Sequence, residues 1–168
     1  MKGAIVNYRK RTGATQQDVA NMFHTDKSNI SHIEKERRNV TASMYDAGFN
    51  NVSDAYLLQD MAYEVTRGYV TPTPSDRVYD DHRMSFVYRV QQEIQEFINV
   101  IPMNRLDKRP EFLTQDEKER LSLLVSELQD VLFEGQGFLN KLTEDYEFLQ
   151  PQSINQNRDT RLKMERRI

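Results

Sequence analysis

Apolar residues recur along the chain at steps of three and four and nowhere alternate with polar ones over a sustained stretch, so the pattern predicts an all-α protein with no sheet. Thr15 is placed to accept a backbone N–H at the start of a helix over Gln16–Phe23, with Asp18 completing a variant of the capping box. Val19, Ala20 and Phe23 share one side of that helix, and Ala20 is small where two helices joined by a tight turn must approach closely. His24 and Thr25 supply the turn, Asp26 caps a second helix from Lys27 to about Lys35, and Ile30 and Ile33 point back at the first. Lys27, Ser28, Asn29, Ser31 and His32 are left facing outward.

The second half has longer elements. Val70-Thr71-Pro72-Thr73-Pro74-Ser75-Asp76 alternates prolines with small polar residues, which keeps the segment extended; residues 70–76 are expected to link a unit at 1–69 to one at 77–150. From about Asp80 to Ile101, Val87, Val90, Ile94, Phe97 and Ile101 form a stripe that Phe86 and Ile98 widen. Pro102 and the run to Pro110 stop this helix, and Thr114 with Glu117 forms a capping box for the next. There Leu121, Leu124, Leu128, Val131, Phe138, Leu142 and Leu149 keep the rhythm, with Leu132, Leu139 and Tyr146 on the flank; Gly135 and Gly137 are expected to kink or interrupt it. Two such helices folded back as an antiparallel hairpin bury too little surface to stand alone. They are expected to associate with further copies, as a dimer or tetramer, through Val87, Val90, Ile94, Phe97, Leu121, Leu124, Leu128 and Leu132. Residues 151–168 are rich in Gln, Asn and Arg and poor in apolar side chains, and read as a disordered basic tail.

Composition narrows the chemistry. With 168 residues, 38% of them hydrophobic, the chain suits two small units with thin cores. The absence of cysteine excludes a disulfide scaffold, a thiolate zinc site and a cysteine nucleophile. No His-x-x-x-His or Glu-x-x-His spacing, Gly-rich phosphate loop or Ser/His/Asp arrangement is visible, so no metal, cofactor, catalytic residue or enzymatic activity is expected. No window approaches the roughly 18 apolar residues of a membrane helix and the start lacks an apolar signal core, which points to a cytoplasmic protein. The net charge of −3 divides unevenly: +4 over residues 1–45, −10 over 46–150 and +3 over 151–168. Only the field near a contact surface steers a polyanion, because salt screens charges beyond about 10 Å. A basic head bearing short polar side chains at a helix N-terminus suits base edges in a major groove about 12 Å wide.

Thr15-Gln16-Gln17-Asp18-Val19-Ala20, the turn, and Ser28-Asn29-Ile30-Ser31-His32-Ile33-Glu34-Lys35-Glu36-Arg37-Arg38 together resemble the lambda-repressor-like (Cro/cI-type, or XRE) helix-turn-helix domain of phage, plasmid and bacterial repressors. The resemblance spans roughly residues 3–66 and implies a five-helix DNA-binding domain, with Met44, Tyr45, Ala47, Phe49, Val52, Ala55, Tyr56, Leu58, Met61, Ala62 and Val65 building the fourth and fifth helices. Carried over by position, it implies that Lys27, Ser28, Asn29 and His32 read bases, that Gln16, Arg9, Arg37 and Arg38 contact phosphate, and that Arg9 pairs with Glu34. Two departures stand out. Glu36 occupies the place of the usual glycine after the recognition helix, and His24 that of a small residue, often glycine, in the turn, so either the helix runs on or Glu36 takes up a strained left-handed conformation. The implied function is a sequence-specific transcriptional regulator, a repressor of a phage, plasmid or mobile-element promoter, bound to inverted operator repeats of double-stranded DNA. The rival is an antitoxin or anti-repressor-type protein whose helical second half binds a protein partner.

Overall fold

The computed structural model describes residues 2–74 and 80–168. Among them are eight α-helices and no strand. The helices are α1 (Lys2–Thr12), α2 (Gln16–Met22), α3 (Lys27–Glu34), α4 (Ala42–Asn51), α5 (Ala55–Val65), α6 (Arg83–Val100), α7 (Gln115–Asp145) and α8 (Pro151–Met164). The chain forms two compact units: one contains everything up to Pro72 together with Thr143–Ile168, the other Thr73–Leu142. Ser75 and Asp76 of the expected linker, and residues 77–79 of the expected second unit, lie outside the described residues. No helix among the described residues is long and apolar enough to cross a membrane.

In the first unit, α2 to α5 each begin on a Thr or Asp whose side-chain oxygen accepts a backbone N–H three residues on: Thr15 from Asp18, Asp26 from Asn29, Thr41 from Met44 and Asp54 from Leu57. Each such cap is worth about 1 kcal/mol, enough to matter for helices of 7 to 11 residues that could not persist alone. Their inward faces close one core, in which Ile5, Val19, Phe23, Ile30, Ile33, Leu57 and Met61 are fully buried. Gly48 of α4 approaches that core closely, since a Cβ there would stand 2.4 Å from Met61 Cε and 2.6 Å from Phe23 Cε1.

Both departures from the expected glycine pattern resolve as left-handed backbone. His24 has φ 49° and Glu36 φ 58°, and α3 stops at Glu34 instead of running on. The reward is a closed helix end: Thr25 N–H donates to the Ala20 carbonyl at 2.9 Å and Arg37 N–H to the His32 carbonyl at 2.8 Å. A side chain in that conformation costs roughly 1–2 kcal/mol.

The expectation of a disordered tail at 151–168 is corrected: residues 151–164 form α8 and belong to the first unit. Counting apolar residues missed how the helix is held. Pro151 is buried at its first position and Gln152 Nε2 donates to the Val52 carbonyl at 2.8 Å. Residues 143–150, expected in the second unit, also join the first, where Arg11 pairs with Asp54 and with Glu144 and stacks 4.7 Å from the Tyr56 ring.

The second unit is an antiparallel hairpin of α6 and α7. Arg89 Nε meets Glu134 Oε2 at 3.0 Å, Lys141 Nζ meets Asp81 Oδ2 at 2.9 Å, and Phe86 is buried near Gly137. The expected interruption at Gly135 and Gly137 is absent: α7 runs unbroken for 31 residues. Gly137 instead makes room, since a Cβ would lie 2.9 Å from Pro74 Cγ and 3.5 Å from Phe86 Cε1. The helical cost of each glycine, about 1 kcal/mol, is too small to break so long an element. At the start of α7 the capping box forms, with Thr114 N–H donating to Glu117 at 2.7 Å. Beside the Lys108 ammonium, and accepting that N–H, the Glu117 carboxyl falls to about 2 and stays ionised at neutral pH.

Candidate nucleic-acid interface

α3 lies against α1 and α2, and the burial of Ile30 and Ile33 on that side fixes which edge faces away. Lys27 and Ser28 are exposed on that edge, and Ser31 and His32 are half-buried. Asn29 departs from the outward-facing expectation. It is half-buried, its amide nitrogen donates to Thr25 Oγ1 at 2.9 Å and to Met44 Sδ at 3.5 Å, and its oxygen faces Arg38 Nη1 at 3.4 Å. Its side chain therefore ties the turn, α3 and α4 together, with the oxygen turned toward Arg38.

Behind α3, three helices share one polar network. Arg9 of α1 donates through Nε to the Ala14 carbonyl at 3.0 Å and through Nη1 to Glu34 Oε1 at 2.7 Å. Gln16, the first residue of α2, donates to the other Glu34 oxygen at 2.6 Å. Glu34 thus holds Arg9 and Gln16 side by side. Each keeps further N–H donors, since a guanidinium has five and an amide two. Arg37 and Arg38 are exposed just beyond the left-handed Glu36. At the start of α2, the backbone N–H of Thr15, with its hydroxyl, lowers the Asp18 carboxyl from its ordinary value, so the cap holds its charge at neutral pH.

Sequence reading missed a contact that braces the turn: His24 Nε2 and Asn51 Nδ2 are 2.9 Å apart, joining it to the end of α4. Nothing local in the sequence marks a pair 27 residues apart.

The eight residues expected at an oligomer interface fall into two sets. Leu124 is buried and Val87, Val90, Phe97 and Leu121 half-buried, whereas Ile94, Leu128 and Leu132 are 41%, 42% and 56% exposed. Ile94, Ile98 and Ile101 continue an exposed stripe of four- and three-residue steps past the end of α6, and Val125, Leu128, Leu132 and Leu139 another on α7. The hairpin also brings together Glu93, Glu127 and Asp130, each offering an oxygen within 4.8 Å of the others. Burial first, then the neighbouring carboxylates, push the Glu93 carboxyl up, as like charges held close must.

Comparison with protein-family models, with curated proteins and with solved structures finds no match to this chain.

Proposed function

We propose that the chain is a sequence-specific DNA-binding transcriptional regulator, a repressor of a phage, plasmid or other mobile-element promoter, working in a bacterial cytoplasm. In this reading the α1–α5 part of the first unit is a lambda-repressor-like helix-turn-helix domain, and the α6/α7 hairpin is its oligomerisation element. The observation that carries it is the pairing of an outward polar edge on α3 with the Glu34 network behind it. Lys27 and Ser28 in the first turn of α3 and His32 in its last turn lie on the edge that would face a major groove, while Arg9 and Gln16 are held together by one carboxylate. Arg9, Gln16, Arg37 and Arg38 then position the helix on phosphates, which fixes register without reading sequence. Asn29 acts in this scheme through its hold on the turn and on Arg38.

One such head yields about 1–3 kcal/mol for each good base contact, too little to choose a site in a genome. The exposed stripes of α6 and α7 favour a second copy as their cover, and joining two heads turns the second contact into an intramolecular one. Those stripes would equally suit the rival reading, in which a protein partner binds the hairpin; release of DNA on titration with that partner marks the difference. Selection of bound sequences from random duplexes at near-physiological salt tests the proposal. The expected product is a motif with two-fold symmetry and half-site centres about 34 Å apart or a multiple of it. An unenriched pool, or a motif without symmetry, contradicts it.

A further inference from the structure

α8 carries a feature that the groove-reading helix does not account for. It is polar nearly all round: Ile154 and Leu162 are half-buried, and Met164 is exposed at its end. A helix of this kind gains little from burial. It is nevertheless held at its start by buried Pro151 and by the Gln152 bond to the Val52 carbonyl. Its far end is closed by the Arg167 N–H donating to the Leu162 carbonyl at 2.8 Å, with Arg166 in the left-handed conformation at φ 54°. The anchored start also has a definite neighbour. Val52 follows Asn51, whose side chain touches His24 in the turn that introduces α3. α8 therefore begins one residue away from the brace of that turn.

Charge is what α8 and the four residues after it present. Residues 151–168 hold five Arg or Lys against two acids. Arg158 is paired with Asp159, and Arg161 and Arg167 with Glu165, while Lys163 and Arg166 have no ion pair among the described residues. A lipid surface would require an apolar face that α8 lacks. Fourteen helical residues extend about 21 Å from the anchor.

We propose that α8 is a second DNA-binding element, one that grips the phosphate backbone beside the site read by α3 and does so without regard to sequence. The inference rests on the reading of α3 as the groove helix. It is tested in the full chain by measuring affinity between 50 and 200 mM salt for two duplexes, the sequence selected by the unaltered protein and a shuffled one of equal length. With Lys163→Gln and Arg166→Gln, the slope of log affinity against log salt is expected to flatten by about 0.9 for each phosphate no longer neutralised, equally on both duplexes. Glu165→Gln, which releases Arg161 and Arg167, is expected to steepen the slope and tighten both complexes. This opposite sign separates the removal of a cation from damage to the fold. Unchanged slopes in both variants overturn the role of α8 alone. An altered ratio between the duplexes overturns its indifference to sequence. If the unaltered chain binds neither duplex, the groove reading and this inference fall together.

Discussion

Phe23→Ala is expected to remove about 3–5 kcal/mol of stability, a large share of the roughly 5–15 kcal/mol that a domain commands. Phe23 closes α2 and is fully buried, and its ring occupies the space that α4 opens by having glycine at position 48. Truncation leaves a cavity that α2, α4 and α5 cannot all collapse into, because the turn before α3 is tied to α4 on two sides, by Asn51 to His24 and by Asn29 to Met44. The midpoint of urea unfolding, followed by far-ultraviolet circular dichroism, measures the loss. A paired substitution sharpens the test. Gly48→Ala alone forces its methyl against Phe23 and Met61 and is expected to cost about 1–3 kcal/mol, but in the Phe23→Ala background much of that cost should vanish. Additive losses would mean that the two positions do not share one space.

The second large effect is expected in the hairpin. Ile94→Asp with Leu128→Asp places charges on both exposed stripes while leaving Phe86 and Leu124, which are buried within the hairpin's own unit, untouched. Light scattering should then report a monomer, and affinity for the selected duplex should fall by about 10²–10⁴, the advantage that tethering two heads supplies. Circular dichroism should show the helices retained. An oligomer that survives both charges would move the interface off these stripes.

Much of the first unit was legible because its signals are local. Thr15, Asp26, Ile30 and Ile33 announce cap, turn and buried face within twenty residues, and the structure holds the caps and the core face where spacing put them. The left-handed turn at Glu36 is visible in the sequence only as one of two alternatives, because a non-glycine residue does not declare whether the helix passes through it, and the left-handed backbone of His24 is not visible there at all. Ala4 and Ile5 of α1 and Leu57 of α5 complete the core without having been singled out, although Ala4, Ile5 and Tyr8 do lie at helical spacing.

The errors share a cause. Composition assigns residues 151–168 to disorder, but a helix over 151–164 can be retained by one buried proline and one side-chain bond to a carbonyl 100 residues away. Glycine propensity placed a break in α7, whereas the Cβ-free surface of Gly137 serves a close approach by Pro74. The outward position given to Asn29 followed from the helical wheel, which takes no account of a partner such as Thr25 or Met44. Long-range polar pairs, including the Gln59 amide that donates to the Thr71 and Pro72 carbonyls, leave no periodic trace at all.

Whether the outer edge of α3 reads duplex sequence is tested most directly by measuring affinities for every single-base variant of the selected duplex with four proteins: the unaltered chain, Ser28→Ala, His32→Ala, and Arg37→Ala with Arg38→Ala. The expected result is a change of preference worth about 1–3 kcal/mol at distinct base positions for Ser28→Ala and for His32→Ala, with the arginine variant weaker on every duplex by one common factor. Equal, sequence-blind losses from all three variants, or no binding to any duplex by the unaltered chain, would contradict it.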